Sequence, residues 1–193
     1  MKNKIIQCCS LFVLLLLSGS AMAHTGSHNS SLLSGLMHPL SGLDHILAIL
    51  AVGFWTATLN KSSKQLLIPV AFVIFMILGA LIGVIGIGLP MLEASIALTV
   101  VFMGLLLMTK SHTSLVAEVC LVGVFALLHG NAHGLEIALG STIITYFIGF
   151  VAGTCLLLGA GFYAGRQLTT YEWTIRGIGM TTSFIGAALM LGA

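Results

Sequence analysis

The sequence predicts an all-α fold, a polytopic membrane helix bundle of about six transmembrane helices. Three observations carry this: 58% of the 193 residues are hydrophobic and 6% are charged, the mean hydropathy is +1.14, and apolar runs of spanning length recur between short polar breaks. So little charge cannot cover a water-facing globule. The net charge of +2 is too small to point to nucleic acid, and the chain carries no G-x-x-x-x-G-K-[ST] loop for an ATP-driven engine. The partner it requires is the lipid bilayer.

Taken in order, residues 1–23 read as a secretory signal peptide: Lys2 and Lys4 form the basic start, residues 11–17 the apolar stretch, and Ala21-Met22-Ala23 the small-residue cleavage site. The alternative is an uncleaved first helix, for which the apolar run is short. Residues 24–193 then form a single integral membrane domain. Its spans are expected near residues 36–59, 66–88, 91–109, 114–133, 137–165 and 174–192, the fifth long enough to tilt or break at a glycine. Gly79/Gly83, Gly149/Gly153 and Gly161/Gly165 are spaced for close helix contact. Cleavage would remove Cys8 and Cys9, leaving Cys120 and Cys155 as isolated small packing residues without a metal motif or a disulfide framework.

Orientation follows from the cations. Lys61 and Lys64 fall after the first span, Lys110 after the third, and Arg166 and Arg176 around the break between the fifth and sixth. All five lie on one side, which the positive-inside rule makes cytoplasmic in a bacterial inner membrane, so the mature N-terminus is expected in the periplasm.

The chemistry concentrates in two clusters, H-P-L-S-G-L-D-H at residues 38–45 and H-G-N-A-H-G-L-E at residues 129–136. Both are expected at the periplasmic end of their spans, and ionisable side chains inside a bilayer usually mark an ion or substrate path. His129 and His133 are i and i+4, one turn apart on one face, and are read as a clamp for one metal ion. Glu136 adds a third ligand or orients an imidazole. On a straight helix His38 and His45 would lie about 10 Å apart, so His45 is assigned to the central site and His38 to its mouth unless the Pro39 or Gly42 region bends. Asp44 ligates or accepts a hydrogen bond from a ligand ring. Imidazole with carboxylate suits Ni²⁺, Co²⁺, Zn²⁺ and Cu²⁺, and the absence of a thiolate cluster argues against Cu(I).

Four further residues are candidates for an accessory metal path. Glu93 lies at the start of the third span, where an acid is also favourable without any ligand. Glu118, on the His129 face about three turns closer to the cytoplasm, is an exit site or an interfacial acid reaching water. His24 and His28 could capture metal beside the new N-terminus, or belong to a plain polar linker. His112 reads as a solvated loop residue. No catalytic residue and no organic cofactor is assigned. The rival reading is an intramembrane zinc metallohydrolase using the His/Asp cluster, with Ser41 and Ser141 as nearby serines; a bis-His haem protein is a further alternative.

The H-P-x-x-G-x-D-H pattern of residues 38–45, with the F-A-L-x-H-G-x-A-H-G-x-E pattern of residues 125–136, resembles the HupE/UreJ family of bacterial nickel permeases and accessory proteins of hydrogenase and urease. The resemblance spans essentially the whole mature chain. It implies a non-enzymatic permease for secondary uptake of Ni²⁺, with Co²⁺ as a second substrate, supplying the maturation of a metalloenzyme such as hydrogenase or urease.

Overall fold

The computed structural model describes residues 32–110, 112–137 and 143–192. The expected signal peptide and His24 and His28 lie outside the described residues, as does Ser141. Among the described residues every element is helical: α1 (Leu32–Met37), a 3-10 turn (His38–Leu40), α2 (Leu43–Ala57), α3 (Ser62–Val84), α4 (Leu92–Thr109), α5 (Leu115–Leu135), α6 (Ile143–Leu168) and α7 (Glu172–Gly192). The helices α3 to α7 are each long and apolar enough to cross a membrane, and α1 with α2 makes a sixth span bent by 83°. The chain is a multi-pass membrane protein.

Several boundaries differ from the expected ones because the local chemistry at the ends was not legible in hydropathy alone. The first span begins earlier, at Leu32, and breaks where Gly42 takes an extended conformation (φ −116°, ψ 134°) before α2. Ser62 and Lys64 already belong to α3, because Lys61, extended at the N-cap, accepts the amide of Lys64. Ser114 caps α5 by accepting the amide of Ala117. The long fifth span is one helix of 26 residues, beginning at Ile143 and running past its glycines to Leu168.

Glycines decide which helices touch. Without a hydrophobic force between helices in lipid, close backbone approach is what binds them. A Cβ at Gly79 would overlap the carbonyl of Leu127, and one at Gly130 the carbonyl of Met76, so α3 and α5 lie backbone to backbone and run parallel. Gly53 and Gly161 bring the backbones of α2 and α6 together, Gly35 and Gly149 those of α1 and α6, and Gly104 and Gly179 those of the antiparallel pair α4 and α7. The glycine pairs read from the sequence are therefore packing devices. The two cysteines are not: Cys120 and Cys155 are exposed on the outside of the bundle, because the inner faces of α5 and α6 are taken by glycines and large apolar side chains.

Alternating spans put the α2–α3, α4–α5 and α6–α7 junctions at one end, which holds Lys61, Lys64, Lys110, Arg166 and Arg176. This is the lysine end. The start of α2 and the finish of α5 lie at the other, the histidine end.

Candidate metal centre

The bend at residues 41–42 builds one half of the centre. Pro39 sits in the first turn of the 3-10 segment, where its missing N–H costs nothing, and Ser41 closes the turn by donating its hydroxyl and amide to the carbonyl of His38 at 2.7 and 3.0 Å. Asp44 then falls in the first turn of α2, where a carboxylate faces free amides, and its Oδ1 accepts both the amide and the Nδ1 proton of His45, each at 2.8 Å. A side chain on Gly42 would land on that carboxylate and ring. The bend is the one the sequence left open at Pro39 or Gly42, and through it His38 and His45 both reach His133. His38 is folded back onto His133 rather than left about two turns from His45.

Helix α5 supplies the other half. His133 is the hub: its ring centroid lies 4.4 Å from that of His38, 4.2 Å from His45 and 4.9 Å from Phe150. His45 also reaches His129, at 5.0 Å. Nε2 of His38 is 3.2 Å from Oε2 of Glu136, and His38, His133 and Glu136 each offer a ligand atom within 4.8 Å of the others. The clustering is thus different in detail from the expected His129/His133 clamp. His133 joins His38 and Glu136, while His129 faces His45.

Exposure falls along this set. The side chain of Glu136 is 60% exposed and that of His38 16%, whereas His129 is 0% and His133 2% exposed. Glu136 follows the last residue of α5, and the hydrogen bond from His38 holds its carboxyl below the usual carboxylate range. The group therefore opens at a charged carboxylate and closes on imidazoles.

The nitrogens are set up to accept a cation. Nδ1 of His129 donates to the carbonyl of Phe125 at 2.9 Å, and Nδ1 of His45 donates to Asp44. Both acceptors take a proton, so in the neutral ring Nε2 carries the free lone pair. Nε2 of His45, Nε2 of His129 and both nitrogens of His133 are buried without a hydrogen-bond partner. Buried polar atoms are normally satisfied, and leaving one orphaned costs about 1–3 kcal/mol. Several orphaned imidazole nitrogens around one point, two with the opposite nitrogen anchored, make a ligand set for a transition metal.

Three contributors escaped the sequence reading. Tyr146 and Phe150 of α6 wall the centre, with ring centroids 5.4 and 6.2 Å from His38. Asn131, fully buried between the two α5 histidines, accepts the amide of Leu89 at 2.9 Å and donates to the carbonyl of Ile87 at 2.8 Å. It pins the α3–α4 loop to the helix that carries the ligands. The readable signal was a lone amide side chain within an apolar span.

The remaining candidates sit elsewhere. Glu93 is exposed in the first turn of α4 and is not among the residues that converge. Glu118 is on the buried face of α5 but about 16 Å from His129 along the helix. It is 2% exposed, so it does not reach water, and it pairs with Lys64 at 2.7 Å while accepting the amide of Thr113 at 2.9 Å. His112 is exposed in the loop after α4, as expected; its ring stacks on Trp55, centroids 6.1 Å apart, and the partial burial this brings pushes its pKa down. Ser41 spends its hydroxyl on a backbone carbonyl, which leaves the hydrolase reading without that nucleophile.

A model of the HupE / UreJ protein family matches residues 12–189. A curated relative, Protein HupE of Rhizobium leguminosarum bv. viciae, is 42% identical over 180 residues, covering 92% of this chain and 94% of the relative. No solved structure matches the chain.

Proposed function

The chain belongs to the HupE / UreJ family, and from that premise we propose that it is a secondary permease for a divalent transition metal, with Ni²⁺ the first candidate substrate and Co²⁺ the second. The observation that carries this reading is the convergence of His45, His129 and His133, with buried, unpartnered nitrogens, next to His38 and Glu136 at one end of a membrane bundle.

The ion enters at Glu136 and His38, the exposed members of the set. Exchange onto His133 follows, because its ring touches both His38 and His45. His45 and His129 take the ion deeper, and Asp44 holds His45 in the tautomer that ligates while balancing part of the arriving charge. Phe150 and Tyr146 exclude bulk water, so the imidazoles replace the ion's hydration shell. The positive-inside rule puts the lysine end in the cytoplasm of a bacterial inner membrane and the histidine end in the periplasm. An inside-negative potential then supplies about 4.6 kcal/mol per 100 mV for a divalent ion, so inward flow needs no ATP. An exit role for Glu118 requires its pair with Lys64 to part. Delivered metal would serve the maturation of an enzyme such as hydrogenase or urease.

The test is uptake of radiolabelled nickel into proteoliposomes under an imposed inside-negative potential, with cobalt, zinc and copper as competitors. Accumulation above protein-free vesicles, suppressed by cobalt, is expected. No accumulation removes the permease reading.

A further inference from the structure

Beneath the imidazoles the buried interior is mostly hydrocarbon and aromatic, and within it lies a contact of another kind. Thr154 of α6 and Met76 of α3 are each fully buried, and the threonine Oγ1 lies 3.6 Å from the methionine Sδ. The same hydroxyl is 3.0 Å from the carbonyl of Phe150. Two other buried threonines are satisfied within their own helix, Thr56 on Gly53 and Thr99 on Ile96. Thr154 alone among these three also meets a side chain from a different helix.

The depth of the contact follows from the helices. Phe150 packs against His133, and Thr154 is one turn further along α6 towards the lysine end, about 6 Å deeper. The backbone of Met76 lies against Gly130, next to His129. Side chains of a helix lean towards its N-terminus, and the N-terminus of α3 is at the lysine end, so the thioether is carried down to the level of Thr154. Sulfur and hydroxyl meet at the floor of the imidazole cluster.

A hydroxyl has one proton. The Thr154 proton is shared between the sulfur of Met76 and the carbonyl of Phe150; when it turns to the carbonyl, the hydroxyl oxygen and the thioether sulfur are two neutral donors 3.6 Å apart. Neutral ligands hold a cation more loosely than carboxylates, and conduction needs sites weak enough to release. A thioether is a soft ligand: it favours late first-row ions over Mg²⁺ and Mn²⁺, which prefer oxygen.

We propose that Met76 and Thr154 form an inner, neutral binding station for the transported cation, directly below the imidazole cluster, and that the thioether there discriminates late transition metals from oxygen-preferring divalent ions. The proposal rests on the permease reading. It assigns the step after the imidazoles release the ion, and its sign is a change in rate and selectivity without a change in affinity at the outer centre.

Met76→Leu and Thr154→Val test it, both close to volume-conserving and so expected to fold. Each purified protein is measured twice: equilibrium Ni²⁺ binding in detergent, and Ni²⁺ uptake into proteoliposomes with Mn²⁺ as competitor. Expected is unchanged binding, with uptake at saturating Ni²⁺ down about tenfold for Met76→Leu and less for Thr154→Val, and Mn²⁺ competing better against the leucine variant. Wild-type uptake and wild-type exclusion of Mn²⁺ in both variants would overturn the station. Loss of equilibrium Ni²⁺ binding in Met76→Leu would also overturn it, since the residue would then be supporting the cluster rather than acting after it. Failure of the unaltered protein to take up nickel is a different outcome, and removes the permease reading itself.

Discussion

Both ends of the bundle bury ionisable side chains, and they treat them in opposite ways. At the lysine end Glu118 has its carboxylate held by Lys64 and by the amide of Thr113, and Lys64 donates in turn to the carbonyl of Thr113. The charges there are matched and the backbone groups close the set. At the histidine end two rings have one nitrogen anchored while the others are left buried and bare. An ion pair taken out of water must be complete to be tolerated, so the lysine end reads as structure. A ligand set left incomplete at a comparable burial reads as a site waiting for a cation.

Substitutions can break that contrast, and the largest effect is expected at the hub. His133→Ala removes the ring shared by His38 and His45 and should lower nickel uptake by roughly 100-fold, at the upper range for altering a metal's surroundings. Uptake is measured against equal amounts of monodisperse protein, and wild-type rates would remove the centre from the mechanism.

Acidifying the histidine end should act next. A protonated imidazole cannot ligate, so nickel affinity should fall as the external pH is lowered below neutral and the rings take up protons. Two or more rings losing their lone pairs together give more than one proton displaced per metal, hence a fall of more than about tenfold per pH unit. The Glu136 carboxyl is held low by His38, so it remains ionised through this window and cannot be the cause. An affinity that falls by no more than about tenfold per pH unit at any pH would mean that at most one imidazole holds the ion.

At the lysine end the readout should be stability instead. Glu118→Gln leaves Lys64 buried without its counter-ion and should cost about 3–5 kcal/mol, seen as a lower melting temperature in detergent. Nickel binding by whatever protein remains folded should be unchanged. The double variant Lys64→Met with Glu118→Leu removes both charges and should recover most of the loss. A folded double variant that binds nickel but no longer transports it would move Glu118 into the route.

The smallest change sharpens the comparison inside the histidine end itself. Asn131→Ala leaves the amide of Leu89 and the carbonyl of Ile87 without their partner. The expected loss is about 1–3 kcal/mol of stability with faster amide hydrogen exchange in the α3–α4 loop. Unchanged exchange there would show that the loop is held by other means.

Much of the fold could be read before any coordinates. Spanning segments declare themselves because a bilayer demands about 20 apolar residues in a row, and the glycine pairs announce close packing because nothing larger fits between touching backbones. Four imidazoles and two acids in two short motifs were visible for the same reason: such groups are rare in lipid. Hydropathy does not register a break at a single extended glycine, however, so whether His38 could join the cluster hung on a bend at Pro39 or Gly42 that the spacing could only name. Nor does helical periodicity say which neighbour a face will meet, so Tyr146, Phe150 and the staple at Asn131 went unassigned.

The sequence by itself determined the membrane class, the alternation of the spans, the gathering of cations at one end, and the residues able to bind metal, because each follows from local composition and from the solvent the chain must occupy. Tertiary structure alone decided which of those residues meet. The 83° bend before α2 turns His38 back onto His133, and the close contact of α3 with α5 sets the backbone of Met76 against Gly130, next to His129. Ligand geometry is a property of three helices at once, set by backbone approach and by the direction of one broken helix, and no single segment contains it.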